Sequence, residues 1–297
     1  MPPSSDNKSL AILSAEDKPA ALDAAVKRSV ERYNRDDAMS ADEDFVSNEI
    51  PVALVYNGIS HAVMMATPKD LQTFALGFSL SEGIIASIDE CYGIEVVPIE
   101  AQVATRGLSA AYEIRLEIAS RRFAELKEKR RSLSGRTGCG VCGVESLSSF
   151  DLNIRQVARP EWLNAIQPTI LFNAFDALVD KQLINQQTGS VHAAGWVNTQ
   201  GELVQVMEDV GRHNALDKLL GWYASQSRQE LKEQQEPGFV IMTSRASYEL
   251  IRKCALLDVP MLATISAPTA LAIELAKQAQ MRLYGLCRRE RIVLYVP

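Results

Sequence analysis

Two of the chain's five cysteines stand three residues apart in the glycine-rich segment RTGCGVCGVES, residues 136–146. A Cys-x-x-Cys pair such as Cys139 and Cys142 serves as a redox couple, as half of a zinc site or as a sulfur-handling site. In a thioredoxin-like redox site the pair follows an early strand and opens a long helix. Here the flanking residues are SGRTG and GVESLSS, which predict a mobile loop over 135–150 instead.

A zinc site requires two ligands beyond this pair, and the sequence contains no second Cys-x-x-Cys. A zinc deaminase carries His-x-Glu ahead of Pro-Cys-x-x-Cys. In this chain the cysteine pair precedes His192, and Ala194 occupies the place of the glutamate. We therefore predict no metal, although a metal-binding or deaminase-like enzyme stays an alternative interpretation of the cysteines and His192.

A mobile pair of thiols suits the transfer of sulfur. Thiolate attack loads one sulfur atom as a persulfide, and movement of the loop delivers it to a second site. The segment 121–136, which leads into the loop, carries seven Lys or Arg and two Glu. As a helix this segment is either a basic strip whose cations favour the thiolate or simply a solvated helix face.

Three strand-to-helix junctions in the second half place basic or hydroxyl side chains at predicted helix N-termini. Free backbone N–H groups and the helix dipole favour anions there, and strand ends can meet in one crevice of an open α/β sheet. None of the three junction loops is a GxGxxG or a GxxxxGK[ST], so the junctions predict a site for another kind of large phosphorylated ligand, or only helix caps. The candidate residues are Arg212, His213, Arg245, Ser247, Ser266 and Thr269.

Hydrophobic patterning predicts the elements that position these residues in the first half. Asn57-Gly58 between two apolar runs predicts a type I′ hairpin. Thr67-Pro68 predicts the N-cap and first residue of a helix that ends near Glu82-Gly83. Residues 94–118 predict two strands.

From about residue 160 the pattern changes to alternating helices and short apolar strands, which indicates a layered α/β domain with a parallel or mixed sheet. Leu171, Ala174, Phe175 and Leu178 lie at helical spacing on one face. The predicted organisation is a poorly ordered extension over 1–45 with one helix near 19–33, an N-terminal α+β region over 46–134, the loop 135–150 and the α/β domain over 151–297.

The composition excludes several classes of function. A net charge of −6 argues against nucleic acid as the main partner, and no apolar run reaches the roughly 20 residues that span a bilayer. The N-terminus lacks the charged and apolar regions of a secretory signal. Five cysteines, three of them far apart, fit a reducing cytoplasmic protein better than a disulfide framework.

Six segments, taken in order, resemble the FdhD family of formate dehydrogenase accessory sulfurtransferases, and the resemblance covers residues 46–297. These segments are NGISHAVMMATPKDLQTFALGFSLSEGII, CGVCG, TGSVHAA, EDVGRHNALDKLLG, SRASYELIRK and SAPTALAIELA. The pair Gly285-Leu286 departs from the family pattern, which often has an aromatic residue at the second position.

The resemblance implies a cytoplasmic sulfur carrier that takes sulfur from a cysteine desulfurase, with Cys139 as persulfide acceptor and Cys142 as its partner. It further implies that the protein binds the bis-molybdopterin guanine dinucleotide form of the molybdenum cofactor. Sulfur passes to the metal before the cofactor enters the formate dehydrogenase apoprotein. A chaperone that binds the cofactor without sulfur chemistry is the alternative.

The family also forms homodimers, and its main domain is of the cytidine deaminase-like α/β type. By this resemblance, the cofactor-binding stretch falls on Leu286, Cys287, Arg288, Arg289, Glu290 and Arg291.

Overall fold

A computed structural model of the protein describes residues 23–35, 39–99, 110–131, 153–226 and 236–297. The loop predicted over 135–150, with Cys139 and Cys142, lies outside the described residues. The strands are β1 (Ala25–Tyr33), β2 (Met39–Ser47), β3 (Ile50–Tyr56), β4 (Ile59–Ala66), β5 (Cys91–Pro98), β6 (Tyr112–Ile118), β7 (His192–Asn198), β8 (Leu203–Asp209), β9 (Gly238–Met242), β10 (Met261–Thr264), β11 (Arg282–Arg288) and β12 (Arg291–Val296). The helices are α1 (Leu71–Ser81), α2 (Ser120–Arg131), α3 (Pro168–Lys181), α4 (Leu183–Thr188), α5 (Arg212–Gln226), α6 (Tyr248–Leu256) and α7 (Ala270–Gln278).

Six strands form the larger sheet, in the order β12-β11-β10-β9-β7-β8. Strands β8, β9, β10 and β11 run in one direction, whereas β7 and β12 run against their neighbours. Helices α5, α6 and α7 pack on one face of this sheet and α3 packs on the other. The predicted α/β fold with a mixed sheet is confirmed, while its cytidine deaminase-like character stays a prediction.

The helical spacing predicted for the second half corresponds to a buried face. On α3 the buried residues are the four apolar ones at that spacing, Leu171, Ala174, Phe175 and Leu178. They join a core cluster with apolar residues from the inner strands of the sheet. Their burial removes apolar surface from water on this side of the sheet, and such burial is the main favourable contribution to folding.

The smaller sheet has the order β4-β3-β6-β5 and packs on α1. In the β3–β4 hairpin, Asn57 and Gly58 have φ angles of 45° and 81°. Positive φ at both central residues defines the type I′ turn, so the predicted hairpin is confirmed. The two strands predicted over 94–118 correspond to β5 and β6.

The predicted start of α1 is wrong by one turn. The helix begins at Leu71, and Asp70 lies at its N-cap with a φ of 55° and makes no side-chain cap. The Thr67 hydroxyl instead accepts a hydrogen bond from the backbone N–H of Val210 at 3.2 Å. A tertiary contact therefore takes the hydroxyl that the local pattern assigns to a cap, while the predicted end at Gly83, with a φ of 66°, is confirmed.

The prediction of a helix near 19–33 within a poorly ordered extension is wrong for the described residues. Strands β1 and β2 pair antiparallel along their whole lengths. The pairing places opposite charges close together on the two strands. Lys27 forms an ion pair with Glu43 and Arg32 forms one with Asp42, each at 3.2 Å. Such cross-strand pairs depend on a partner strand, so a pattern within one segment does not predict them.

The basic segment predicted before the cysteine loop is helical in α2. Phe123 and Leu126 pack on the core of the smaller sheet. Arg122 binds Glu90 at 2.8 Å and Glu125 at 2.9 Å. These acids offset part of the positive charge in the described half of the strip.

Candidate functional site

Four parallel strands of the larger sheet end at the same edge. Each of β8, β9 and β10 leads at this edge into a loop and then a helix, and β7 and β12 begin there because they run the other way. The structure therefore brings the three strand-to-helix junctions to one edge, together with the turn between β11 and β12. Open α/β sheets bind ligands at this carboxyl edge.

Backbone hydrogen bonds join the neighbouring loops. The N–H of Thr269 donates to the carbonyl of Ala246 at 3.0 Å, and that of Ser266 donates to Ser244 at 3.4 Å. The N–H of Leu286 donates to the Ser266 carbonyl at 3.3 Å. The candidate residues on these loops are thus held in fixed relative positions. Among the candidate residues on these described loops, Thr269 caps a helix, because its hydroxyl accepts a hydrogen bond from the backbone N–H of Ala272 at 3.3 Å.

Five arginines lie along this edge, and we call them the arginine edge: Arg212, Arg245, Arg288, Arg289 and Arg291. Within the described parts of the chain, none of the five forms an ion pair with an acidic side chain. The buried Nε of Arg212 has no hydrogen-bond partner among these residues either. Since guanidinium groups stay charged at physiological pH, the arginine edge concentrates positive charge that no ion pair neutralises within the described residues.

His213 at the start of α5 contacts the first turn of α6. Its Nε2 lies 3.0 Å from Glu249 Oε2, and Ser247 donates its hydroxyl to the same oxygen at 3.1 Å. Glu249 is thereby a shared partner for two predicted site residues from different junctions. Sequence analysis missed it, because its only local signal is an acid in the first turn of a helix.

His192 begins β7 at the same edge, and its Nδ1 lies 3.5 Å from the Thr243 hydroxyl. Burial lowers the pKa of His192, and the nearby charge of Arg212 lowers it further. The ring is therefore neutral at pH 7. Two residues on, Ala194 is fully buried in the core, so a methyl group stands where a deaminase would hold its glutamate.

The segment 286–291 divides between core and surface. Leu286 has a φ of 52°, a left-handed conformation that costs a branched residue about 1–2 kcal/mol. It sits at an irregular register of β11 against β12. The Cys287 side chain packs into the core with only 2% exposed, away from the surface where Arg288, Arg289, Glu290 and Arg291 lie.

A buried polar network that sequence analysis missed holds the start of α5. Asp209 and Lys218 form an ion pair at 2.7 Å, and both side chains are 0% exposed. Asp209 also accepts hydrogen bonds from the backbone N–H groups of Thr67 and Gly211, at 3.0 and 2.8 Å, and from Asn214 at 2.9 Å. The sequence around Lys218, ALDKLLG, contains no motif that predicts this network.

A cavity of about 450 Å³ lies at the opposite end of α5 and α6, remote from the arginine edge. Apolar residues such as Leu80, Ile85 and Leu256 form much of its wall. Arg155 on its rim is already paired with Asp258 at 2.7 Å. The arginine edge therefore carries the stronger chemical signal for an anionic ligand.

We expect Cys254 and Cys287 to resist alkylation in the native protein. Burial raises the pKa of each thiol to about 12, so very little thiolate forms near neutral pH. Brief treatment with iodoacetamide followed by peptide mass spectrometry measures this, and the same treatment in denaturant is the control. Native labelling of either thiol as fast as in denaturant would contradict the prediction.

Fold and site together define a mixed α/β protein with an arginine-rich site at the carboxyl edge of its main sheet. The family model described as FdhD/NarQ matches residues 47–297, and the chain belongs to this family. It is 48% identical over 260 residues to the sulfur carrier protein FdhD of Chromobacterium violaceum, covering 88% of this chain and 91% of that protein. It is 47% identical over 264 residues to the sulfur carrier protein FdhD of Burkholderia mallei, covering 89% and 93%.

A crystal structure from Desulfotalea psychrophila has a similar fold, with a TM-score of 0.64 at 21% identity over 93% of this chain and 98% of that one. That protein is proposed to be a formate dehydrogenase accessory protein. None of the helices in the described ranges combines the length and apolar character needed to cross a membrane. The same ranges contain no group of three His, Cys, Asp or Glu side chains arranged to hold a metal ion.

Proposed function

We propose that this chain is a sulfur carrier required for formate dehydrogenase activity. Its relatives of about half identical sequence are named sulfur carrier proteins, and the alignment covers most of both chains. The observation in this chain that carries the proposal is the arginine edge, five cations without acidic partners among the described residues, at the place where α/β sheets bind ligands.

In this proposal Cys139 accepts sulfur from a cysteine desulfurase. The Cys139 thiolate attacks the outer sulfur of the desulfurase persulfide, a new S–S bond forms, and the desulfurase cysteine leaves as a thiolate. Cys142 is the neighbouring thiol that accepts or releases the sulfur. The product is a persulfide on this chain, and no external oxidant is needed because the donor already carries sulfur in that oxidation state.

The proposed substrate is the bis-molybdopterin guanine dinucleotide form of the molybdenum cofactor. Each of its diphosphate groups carries two negative charges at neutral pH. Arginine recognises phosphate through paired N–H donors. Arg212 and Arg245 come from two junctions, while Arg288, Arg289 and Arg291 come from the β11–β12 turn. Sulfurated cofactor then passes to the formate dehydrogenase apoprotein, and we further propose a cytoplasmic homodimer.

Loading of sulfur tests the persulfide step directly. The protein is incubated with a cysteine desulfurase and cysteine, and the peptide spanning Cys139 is analysed by mass spectrometry without reductant. We expect the mass of one additional sulfur atom on this peptide, absent when cysteine is omitted. Cys254→Ala is the matched control, because it removes a buried thiol and should leave the loading unchanged. Absence of the added sulfur from the wild-type peptide would refute the persulfide role.

Complementation separates the carrier from a chaperone that binds the cofactor without moving sulfur. In cells lacking this protein, the Cys139→Ala variant is expected to reduce formate dehydrogenase activity to the level without the protein. Wild-type activity from Cys139→Ala would favour the chaperone, because the arginine edge is intact in that variant.

A further inference from the structure

Glu249 is an acidic group within a site that otherwise favours anions. Its side chain is 19% exposed, and its Oε2 receives both hydrogen bonds described above, from His213 and from Ser247. No described residue donates to its second oxygen, Oε1. Oε1 is not a buried atom, so it stays open to water or to a donor on a bound ligand.

The charge of Glu249 makes this placement costly for a simple phosphate site. The hydrogen bond from His213 lowers the pKa of the carboxyl group, so Glu249 is ionised at neutral pH. A phosphate that approaches Arg212 is attracted by the guanidinium and repelled by this carboxylate. A ligand that also brings an N–H or O–H donor can satisfy Oε1 and turn the same carboxylate into a favourable contact.

We propose that Glu249 is a specificity-determining residue that selects phosphorylated ligands carrying a hydrogen-bond donor, such as nucleotides, over bare phosphates. The inference rests on the proposed function, in which the arginine edge binds a guanine dinucleotide. The arginines supply affinity for the diphosphate, and Glu249 discriminates between ligands with and without a hydrogen-bond donor. The hydrogen bond between Glu249 and His213 holds the carboxylate in place.

Binding of GDP and of inorganic pyrophosphate, measured by calorimetry at one ionic strength, tests the proposal. We expect wild-type protein to bind GDP more tightly than pyrophosphate. Glu249→Gln is expected to weaken GDP binding about tenfold or more, since a hydrogen bond to a charged group is lost. The same variant should bind pyrophosphate as well as wild type does, or better, because a repelling charge is gone.

Two further variants make the result specific to this carboxylate. Glu249→Asp keeps the charge but withdraws it by one methylene, so GDP binding weakens while pyrophosphate binding stays at the wild-type level. Glu274→Gln removes an exposed carboxylate on α7 that pairs with Lys277, and it should change neither affinity. Thermal melting of each variant verifies that the fold is retained.

The donor on the ligand can be the 2-amino group of guanine or a ribose hydroxyl, and analogues distinguish these two groups. If the 2-amino group of guanine is the donor, inosine diphosphate binds wild-type protein as weakly as GDP binds Glu249→Gln. If a ribose hydroxyl is the donor, dideoxyguanosine diphosphate does so instead. Either result supports the proposal.

Other outcomes overturn it. Equal weakening of GDP and pyrophosphate by Glu249→Gln would show a merely structural role, and equal tightening would show simple repulsion. Unchanged affinities would show that the ligand does not contact Glu249. If wild-type protein binds neither probe, both this inference and the proposed cofactor site fail, whereas sulfur loading on Cys139 is tested independently of them.

Discussion

Replacing Lys218 by methionine is expected to lower the free energy of unfolding by about 3–5 kcal/mol. Methionine matches the length of the lysine stem but has no charge, so Asp209 is left buried without its ion-pair partner. The Lys218 ammonium also donates to the backbone carbonyls of Thr67 and Glu208, at 3.1 and 3.2 Å. In the variant these two carbonyl oxygens would lose their hydrogen-bond donor in a region without solvent.

Urea denaturation followed by circular dichroism measures this loss. Lys277→Met is the matched control, because Lys277 pairs with Glu274 on the surface of α7, where both side chains are more than half exposed. Exposed pairs contribute about 0–1 kcal/mol, so the control should remain close to wild type. A Lys218→Met variant as stable as Lys277→Met would contradict the assigned ion pair.

Removing the acid as well should not restore stability. Replacing both members of a buried pair by apolar groups is often harmless, but Asp209 also accepts hydrogen bonds from Thr67, Gly211 and Asn214. A Lys218→Met/Asp209→Leu variant leaves these donors buried without an acceptor. We infer that the network serves to fix the start of α5, and with it Arg212, to the first half of the chain.

Sequence patterns predict the elements of this fold where the determining interactions are local. Asn57-Gly58 requires positive φ angles that few other residue pairs tolerate, and the apolar spacing on α3 reports burial on one side of a helix. The convergence of the three junctions follows from a general rule for strands that run in the same direction. The hairpin and the buried face of α3 are visible in the sequence because each depends on a short segment, and each junction is visible because it is a strand followed directly by a helix.

The wrong or missing predictions depend on residues far apart in the chain. Thr67 does not cap α1 because Val210 occupies its hydroxyl, and β1 forms because β2 pairs with it. Glu249 belongs to the site through His213, which is 36 residues earlier. No periodicity or motif within a single segment encodes these contacts, so they are found only once the tertiary structure is known.

Gly221→Ala is expected to destabilise the protein by about 2–3 kcal/mol, although alanine normally stabilises a helix relative to glycine by about 1 kcal/mol. Gly221 on α5 faces α1, where a new Cβ would overlap the carbonyl oxygen of Thr73 and lie 2.8 Å from the backbone nitrogen of Gly77. These are backbone atoms and cannot rotate away. The two helices would have to separate, exposing part of the surface where they pack together.

The matched control is Gly93→Ala on β5, where the nearest atom to a new Cβ is 3.9 Å away. That variant should stay within about 0.5 kcal/mol of wild type in the same urea titration. Gly77 is the reciprocal position on α1, where a new Cβ would overlap the backbone carbonyl of Asp217. The loss of stability in Gly77→Ala should therefore resemble that in Gly221→Ala. Because helix separation caused by one substitution makes room for the other, the double variant should lose less stability than the sum of the two single losses. Full additivity would mean that the two glycines do not share one helix contact.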